Sequence, residues 1–530
     1  MRTLIMATIA GLLGAGAFAA AAQALPASQI PDELPYIWVQ YNNPDESGGA
    51  QKRIARVVLE DGAKCPTISE NGTPVPMQPR VLTPSQDNGM FQVTVCTATL
   101  HASSAAHVTI TDNIGTTTHT LPTLPDTANT VVVVGDTGCR VSSWATQDCD
   151  DATPTDPRAG WPLEKVADQI TAENPDVIIH MGDYHYREAK PCPPSDQGTC
   201  GDTWDSWKAD WFNPARPVLD VAPWVLLRGN HENCARAWRG FKLFFSVAPV
   251  AGSPGDLPGS SGCSELTLSY AVALHKDITL AVIDTASQRE TLTQSGVDYC
   301  PAWAKGVDTL LKDAMADPVT NWLTLHHPVY KWTTKYPITP GQEACPGKAF
   351  MGQNFIQGAI NDNAAAGMAA PSMIFSGHAH MWQWNRPLDG NLPLQMVVGH
   401  GGTKLDSASD FDLRGNQYIG NTATSAVFPG TKAGAAAQAK AGLASGTTGW
   451  TNMDIIFVYQ VLKRLQAPGG SPSAVWRIDM RDINHTLLRV CTSQSDPKAA
   501  AAVANSAGFP AQAQELQDKG CYVVAEGGGN

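Results

Sequence analysis

The hydrophobic pattern of the chain changes character near residue 127. Before it, short apolar and β-branched runs at Tyr36–Gln40, Ile54–Leu59, Phe91–Cys96 and His107–Thr111 are separated by Gly, Pro, Asn and Asp clusters. Such spacing predicts strands joined by turns. A small all-β sandwich is expected over residues 25–126, with Leu121-Pro122-Thr123-Leu124-Pro125 as the linker leaving it. Nothing in this stretch groups residues that could do chemistry.

Beyond it the apolar runs become continuous. Val131–Val134 is four valines in succession, as a strand buried on both faces requires. Helical spacing follows at Leu163–Ala172 and returns at Val307–Ala316. Further apolar strands are predicted at Asp176–His180, Trp224–Leu227, Ile278–Ile283, Trp322–Leu325, Met373–Phe375 and Leu394–Val398. Strands alternating with helices predict an α/β domain, here over residues 127–492. The Ala- and Gly-rich stretch 431–450 lacks an amphipathic period and is expected to be a flexible insertion. Residues 493–530 form an Ala- and Gln-rich tail with helical character.

Composition narrows the function. The 530 residues carry a net charge of −13, which argues against nucleic-acid binding through a basic surface. It also means that any phosphate chemistry depends on local cations. At the N-terminus Arg2 precedes an apolar stretch from Leu4 to Ala22 and the small-x-small pattern Ala22-Gln23-Ala24, so residues 1–24 read as an export signal. An uncleaved anchor is the alternative, since the run approaches spanning length. No later segment is long and apolar enough to span a bilayer, and a periplasmic or secreted location is expected. The twelve cysteines fit export, with Cys139–Cys149, Cys192–Cys200 and Cys491–Cys521 as plausible local pairs. None forms a CxxC pair, so a zinc ribbon has no support.

Candidate metal ligands cluster where five predicted strands end. They are Gly135-Asp136-Thr137-Gly138, Gly182-Asp183-Tyr184-His185-Tyr186, Gly229-Asn230-His231-Glu232, His326-His327-Pro328 and Gly377-His378-Ala379-His380. The carboxyl ends of strands in α/β sheets form the ligand crevice, so residues far apart in sequence can converge there. Oxygen donors (Asp136, Asp183, Asn230, Tyr186) with imidazoles (His326, His378, His380) suit two adjoining Fe, Zn or Mn ions. Each motif alone is weak: Gly201-Asp202 and Gly255-Asp256 read as ordinary loop turns.

Taken in order over Val131–Gly402, these motifs resemble the calcineurin-like metallophosphoesterases, and within them the purple acid phosphatases. Most superfamily members begin with Asp-x-His, whose histidine also binds the first metal. Here that position is Gly138, and Gly-Asp-x-x-Tyr at Gly182–Tyr186 supplies a phenol instead. The resemblance implies a four-layer α/β/β/α domain. It assigns Asp136, Asp183, Tyr186 and His380 to a first metal, and Asn230, His326 and His378, with Asp183 bridging, to a second. It further implies Fe(III) in the first position and Fe(II), Zn(II) or Mn(II) in the second.

The implied activity is metal-dependent hydrolysis of phosphate esters by a two-metal-activated hydroxide, with small phosphomonoesters as substrates and His231 as acid or transition-state contact. Two departures stand out. The stretch Val329–Tyr336 lacks the further histidine usual in that branch, leaving Lys331, Lys335, His185 and His327 as candidate phosphate contacts. His400, a further candidate substrate contact, replaces a common acidic residue in Gly399-His400-Gly401-Gly402. Asp284 is a candidate support for a ligand, and Trp382 and Trp384 for the pocket lining; the bland alternatives are that Tyr186 packs into the core, that His185 and His327 merely support neighbouring ligands, that Asp284 caps a turn, and that Trp382 and Trp384 are core. His101, His107, His119, His275 and His485 read as structural or surface residues. At the level of function, a phosphodiesterase acting on nucleotides or lipid head groups, or a non-catalytic surface or binding protein with the same fold, stays open. The oligomeric state is not legible.

Overall fold

Alternate valines of Thr130–Val134 face opposite sides of one sheet. Val131 and Val133 pack with Val177, Ile179 and Val225 toward a second sheet, while Val132 and Val134 pack with Ile178, Trp224 and Leu226 toward helices. The computed structural model describes residues 34–42, 51–111 and 115–248, with gaps at 144–145, 152–153, 156–158 and 194–198. It also describes 269–275, 278–286, 320–329, 371–387, 393–406, 456–466, 472–494 and 497–524, with short pieces between 263 and 454.

The first sheet has eleven strands. Its order from one edge is Cys521–Val523, Leu487–Thr492, Pro472–Asp482, Val458–Gln466, Thr130–Val134, Val177–His180, Trp224–Leu226, Tyr36–Tyr41, Lys52–Glu60, Val93–His101 and Gln78–Arg80. The second has nine, with Ile278–Ile283, Thr320–Leu325, Met373–Ser376 and Leu394–Val398 parallel at its centre. Between the sheets, Leu280, Val282, Trp322, Met373, Phe375, Met396 and Val398 meet the inward valines of the first. On the far side of the first sheet lie the helices Leu163–Ala172, Trp204–Trp207 and Trp238–Phe244, with an aromatic core of Trp38, Trp207, Trp211, Phe212, Phe244 and Phe245. Removing this apolar area from water stabilises the fold by roughly 25 cal/mol per Å². The chain is therefore a mixed α/β protein with two large sheets face to face. Most of the predicted helix Val307–Ala316 and most of the predicted insertion 431–450 lie outside the described residues, although Thr309, Leu311 and Lys312 are helical and 437–439 and 448–450 are strand.

The N-terminal region is all-β, as its pattern predicts. A separate four-stranded sheet (Thr67–Glu70, Thr73–Pro76, Ala106–Thr111, Thr116–Leu121) covers one face of Tyr36–Tyr41, Lys52–Glu60 and Val93–His101. The sequence did not show that these three strands continue the large sheet, through parallel pairing of Gln40 with Trp224. Two buried arginines extend the attachment. Arg56 donates to the carbonyls of Phe244 (2.6 Å) and Ser246 (2.8 Å), and Arg80 to that of Leu243 (2.9 Å). Both thereby cap the C-terminal end of the helix that follows Asn230 and His231.

The tail forms helices at Pro497–Ser506 and Ala513–Lys519, then returns as the edge strand Cys521–Val523, tied to the sheet by Cys491–Cys521. That disulfide, Cys139–Cys149 and Cys192–Cys200 are the pairs expected; Cys65–Cys96 and Cys234–Cys263 add two, while Cys300 and Cys345 lie outside the described residues. Disulfides of this number accord with an exported protein. Among the described residues no helix is long and apolar enough to cross a membrane.

Candidate metal centre

The five strand ends converge on one buried cluster of lone-pair donors. Strand Thr130–Val134 delivers Asp136, and its parallel neighbour Val177–His180 delivers Asp183. Trp224–Leu226 delivers Asn230, while Thr320–Leu325 and Met373–Ser376 of the second sheet deliver His326 and His378. Three of these residues leave their strands in the left-handed region: Asp136 at φ 55°, Asp183 at φ 59° and His378 at φ 69°. Non-glycine residues adopt that conformation rarely, and such departures concentrate at functional sites. Gly182, at φ 91°, makes the turn that precedes Asp183.

The donor atoms form two sets that share one carboxylate. In the first, Tyr186 Oη lies 2.8 Å from Asp183 Oδ2, 3.1 Å from Asp136 Oδ1 and 3.0 Å from His380 Nε2. In the second, Asn230 Oδ1 lies 2.9 Å from His326 Nε2 and 2.8 Å from His378 Nδ1, and His326 Nε2 is 3.2 Å from Asp183 Oδ2. Asp183, His326 and His378 bring ligand atoms within 4.8 Å of one another. Cations of the Fe, Zn or Mn class bind such donors at about 2.0–2.2 Å, so donors roughly 3 Å apart can share one ion. One phenolic proton cannot serve two carboxylates and an imidazole at once. A cation in each set would satisfy all of them.

Electrostatics describe the same demand. Burial, then the charges of Asp136 and Asp183, push the Tyr186 phenol well above its ordinary range. Burial and the neighbouring Asp183 raise Asp136, against the pull of His326. Burial also opposes ionisation of Asp183, but His326 and His231 outweigh it and hold that carboxyl well below the usual range. Burial disfavours the charged form of His326, yet Asp183 and Asp136 push it up to about 9.

Second contacts orient these donors. Nδ1 of His326 is 2.7 Å from the Met181 carbonyl, which turns Nε2 toward the cluster. Glu232 accepts backbone N–H bonds from Gly229, Asp183, Tyr184 and His185 at 2.8–3.2 Å, locking two motif loops together. Asp210 accepts from Tyr186 N at 2.8 Å and Cys139 N at 3.3 Å. Arg228 pairs with Asp284 at 2.9 Å, joining the segment before Asn230 to the second sheet. Sequence reasoning named Asp284 and listed Glu232 only as part of a motif, and it missed Asp210; carboxylates that serve backbone donors leave no periodic signal.

His231 sits at the rim, 9% exposed, its ring 3.9 Å from that of Tyr186 and its Nε2 4.0 Å from Asp183 Oδ2. Its Nδ1 lies 2.9 Å from Glu188 Oε1. Burial opposes the charge on Glu188, but His231 and Arg236 outweigh it and hold the carboxyl near 2.

The other expected contacts divide. His327 lies beside the second set, its ring 4.2 Å from that of His378, and is buried against Thr285. His185 requires a correction: its ring turns away from the cluster, onto Trp207 and to Ser206 Oγ at 3.0 Å, on the side of the aromatic core that Tyr184 also joins. His400 requires another. It is fully buried, 3.0 Å from Gln460 Nε2, and burial drives its imidazole down to about 3, so it is a neutral core residue. Trp382 and Trp384 are core. Lys335 lies outside the described residues, and Lys331 falls in the short strand Lys331–Trp332.

No curated protein sequence matches the chain. Solved structures similar to it include GAP50, the anchor in the inner membrane complex of Plasmodium, at 11% identity over 72% of this chain and 95% of that one, with a TM-score of 0.36. A dimetal phosphatase from Danio rerio is similar at 10% identity over 51% of this chain and 86% of that one, with a TM-score of 0.29. Likenesses this distant bear on neither the fold nor the chemistry. The family model for calcineurin-like phosphoesterases, in contrast, matches residues 130–382, the segment that carries all five strand-end motifs. Residues 130–382 of the chain therefore match the calcineurin-like phosphoesterases.

Proposed function

We propose that the chain is an exported acid phosphatase that hydrolyses small phosphomonoesters. The observation that carries this is the position of Asp183 Oδ2, 2.8 Å from Tyr186 Oη and 3.2 Å from His326 Nε2, common to both donor sets. Asp136, Asp183, Tyr186 and His380 would hold the first metal, and Asp183, Asn230, His326 and His378 the second. A phenolate oxygen favours Fe(III) in the first position, and the mixed oxygen and imidazole set suits Fe(II), Zn(II) or Mn(II) in the second. When bound, the pair supplies charge to the phosphoryl oxygens and makes water a nucleophile near neutral or acidic pH.

The protein's own part is placement. Asp183 keeps the two positions adjacent, and the Met181 carbonyl fixes the His326 ring. His231 Nε2 faces the cluster from the rim, where it can hold a proton for the leaving alkoxide. Glu188, 2.9 Å from Nδ1, favours the charged ring, the form that carries a proton at Nε2, against the burial that lowers the His231 imidazole.

Relative turnover of p-nitrophenyl phosphate and bis-(p-nitrophenyl) phosphate tests the substrate class. A clear preference for the monoester is expected; preference for the diester would assign the protein to phosphodiester hydrolysis instead. Bound metal without hydrolysis of any phosphoester would point to a binding protein.

A further inference from the structure

Arg140, the second residue after Gly138, has no part in the chemistry above. It lies in the loop closed by Cys139–Cys149, where its backbone N–H donates to Gln147 Oε1 at 3.1 Å, and it is 6% exposed. Its guanidinium carbon is 4.6 Å from the centre of the Tyr186 ring. Its Nη2 is 3.3 Å from His380 Nε2 and 3.4 Å from His380 Nδ1. Near-equal distances to both ring nitrogens place that nitrogen over the imidazole face, since in the ring plane it would collide with ring carbons. A cation is thus packed on two of the four side chains of the first set.

A guanidinium stays charged under all ordinary conditions. A positive charge this close draws electron density from a phenolate and repels any ion beside it in proportion to that ion's charge. The repulsion is therefore steeper for a trivalent than for a divalent ion. Tyr186 pulls the other way, because its hard anionic oxygen favours the higher charge.

We propose that Arg140 sets the charge preference of the first metal position, offsetting the Tyr186 phenolate so that divalent ions compete with trivalent ones. This rests on the assignment of Asp136, Asp183, Tyr186 and His380 to one metal.

The test uses the full chain, stripped of metal and dialysed against citrate-buffered gallium(III) and zinc(II), with bound metals counted by elemental analysis. Gallium(III) is a redox-inert trivalent probe. In Arg140→Gln and Arg140→Met the bound gallium-to-zinc ratio should rise by roughly 2- to 30-fold, the range expected of a partly buried cation over an aromatic ring. Arg140→Lys, which keeps the charge but loses the planar stacking, should raise it by less. An unchanged or lower ratio in neutral variants with native circular dichroism overturns the proposal; if neither neutral variant folds, an unchanged ratio in Arg140→Lys does so. Iron(III)-loaded Arg140→Gln should also absorb at longer wavelength than the wild type. Asp136→Asn separates the two levels. If it still binds both metals, the first position itself is wrong and Arg140 falls with it; if it loses one while Arg140 variants change nothing, only the Arg140 assignment falls.

Discussion

A Cβ atom on Gly138 would lie 2.9 Å from the backbone nitrogen of Tyr186 and 2.5 Å from the carbonyl oxygen of Tyr184. The loop that brings the phenol to the cluster therefore passes through the space that a side chain at position 138 would fill. A histidine at 138 and a tyrosine at 186, each able to complete the first donor set, exclude one another sterically. The two departures from the common superfamily pattern are one feature of the fold.

Gly138→His consequently should not restore a histidine ligand. The atoms it meets are backbone, which cannot rotate away, so the substitution should cost at least about 1–3 kcal/mol of stability, the usual range for overpacking. It should also displace Tyr186 from the cluster. Chemical denaturation and metal content check both; a stable variant with full metal occupancy would contradict the steric coupling.

Glu188 should act on catalysis only through His231. Glu188→Ala should leave metal content unchanged and lower kcat for phenyl phosphate by about 10- to 100-fold, the scale of a lost orienting contact to a catalytic histidine. The loss should be much smaller for p-nitrophenyl phosphate, whose leaving group needs no proton. In a His231→Ala background the same change should add nothing. Equal losses for both esters would show that Glu188 works by another route.

Much of this site was legible in the sequence, and the boundary of legibility has a physical cause. The valines at 131–134 and the helix Leu163–Ala172 follow from periodicity, because burial on two faces or on one leaves a repeating pattern. The converging donors were legible because five short motifs each follow a buried strand. Glu232, Asp210, Glu188 and Arg140 were not, since each matters through a contact that only folding creates. His185 and His400 were misjudged for a related reason: neither adjacency to Tyr186 nor a place in a glycine-rich strand end shows which way a side chain points, and the core takes both. The joining of the N-terminal strands to the catalytic sheet rests on backbone pairing, to which side-chain patterns are nearly blind.

One pH effect should arise away from the metals. Glu164, 3% exposed on helix Leu163–Ala172, is pushed up to about 7 by burial and by Asp168 one turn on. A carboxyl whose folded pKa exceeds its unfolded value of roughly 4.3 takes up a proton on folding. Its contribution to stability is full below the unfolded value and is lost as pH rises through 7. Glu164→Gln keeps a neutral group at every pH. Its melting temperature relative to wild type should therefore rise between pH 5 and pH 8, by roughly 1–3 °C. A difference independent of pH would show that Glu164 ionises freely in the folded chain.

The most direct test of the two-metal centre with Tyr186 as a ligand is metal content and visible absorption, measured side by side on the wild type and Tyr186→Phe. Two metals per chain, iron among them, are expected in the wild type, together with a visible charge-transfer band that Tyr186→Phe abolishes. Two metals with an identical spectrum in both proteins, or a colourless wild type holding two zinc ions, would contradict it.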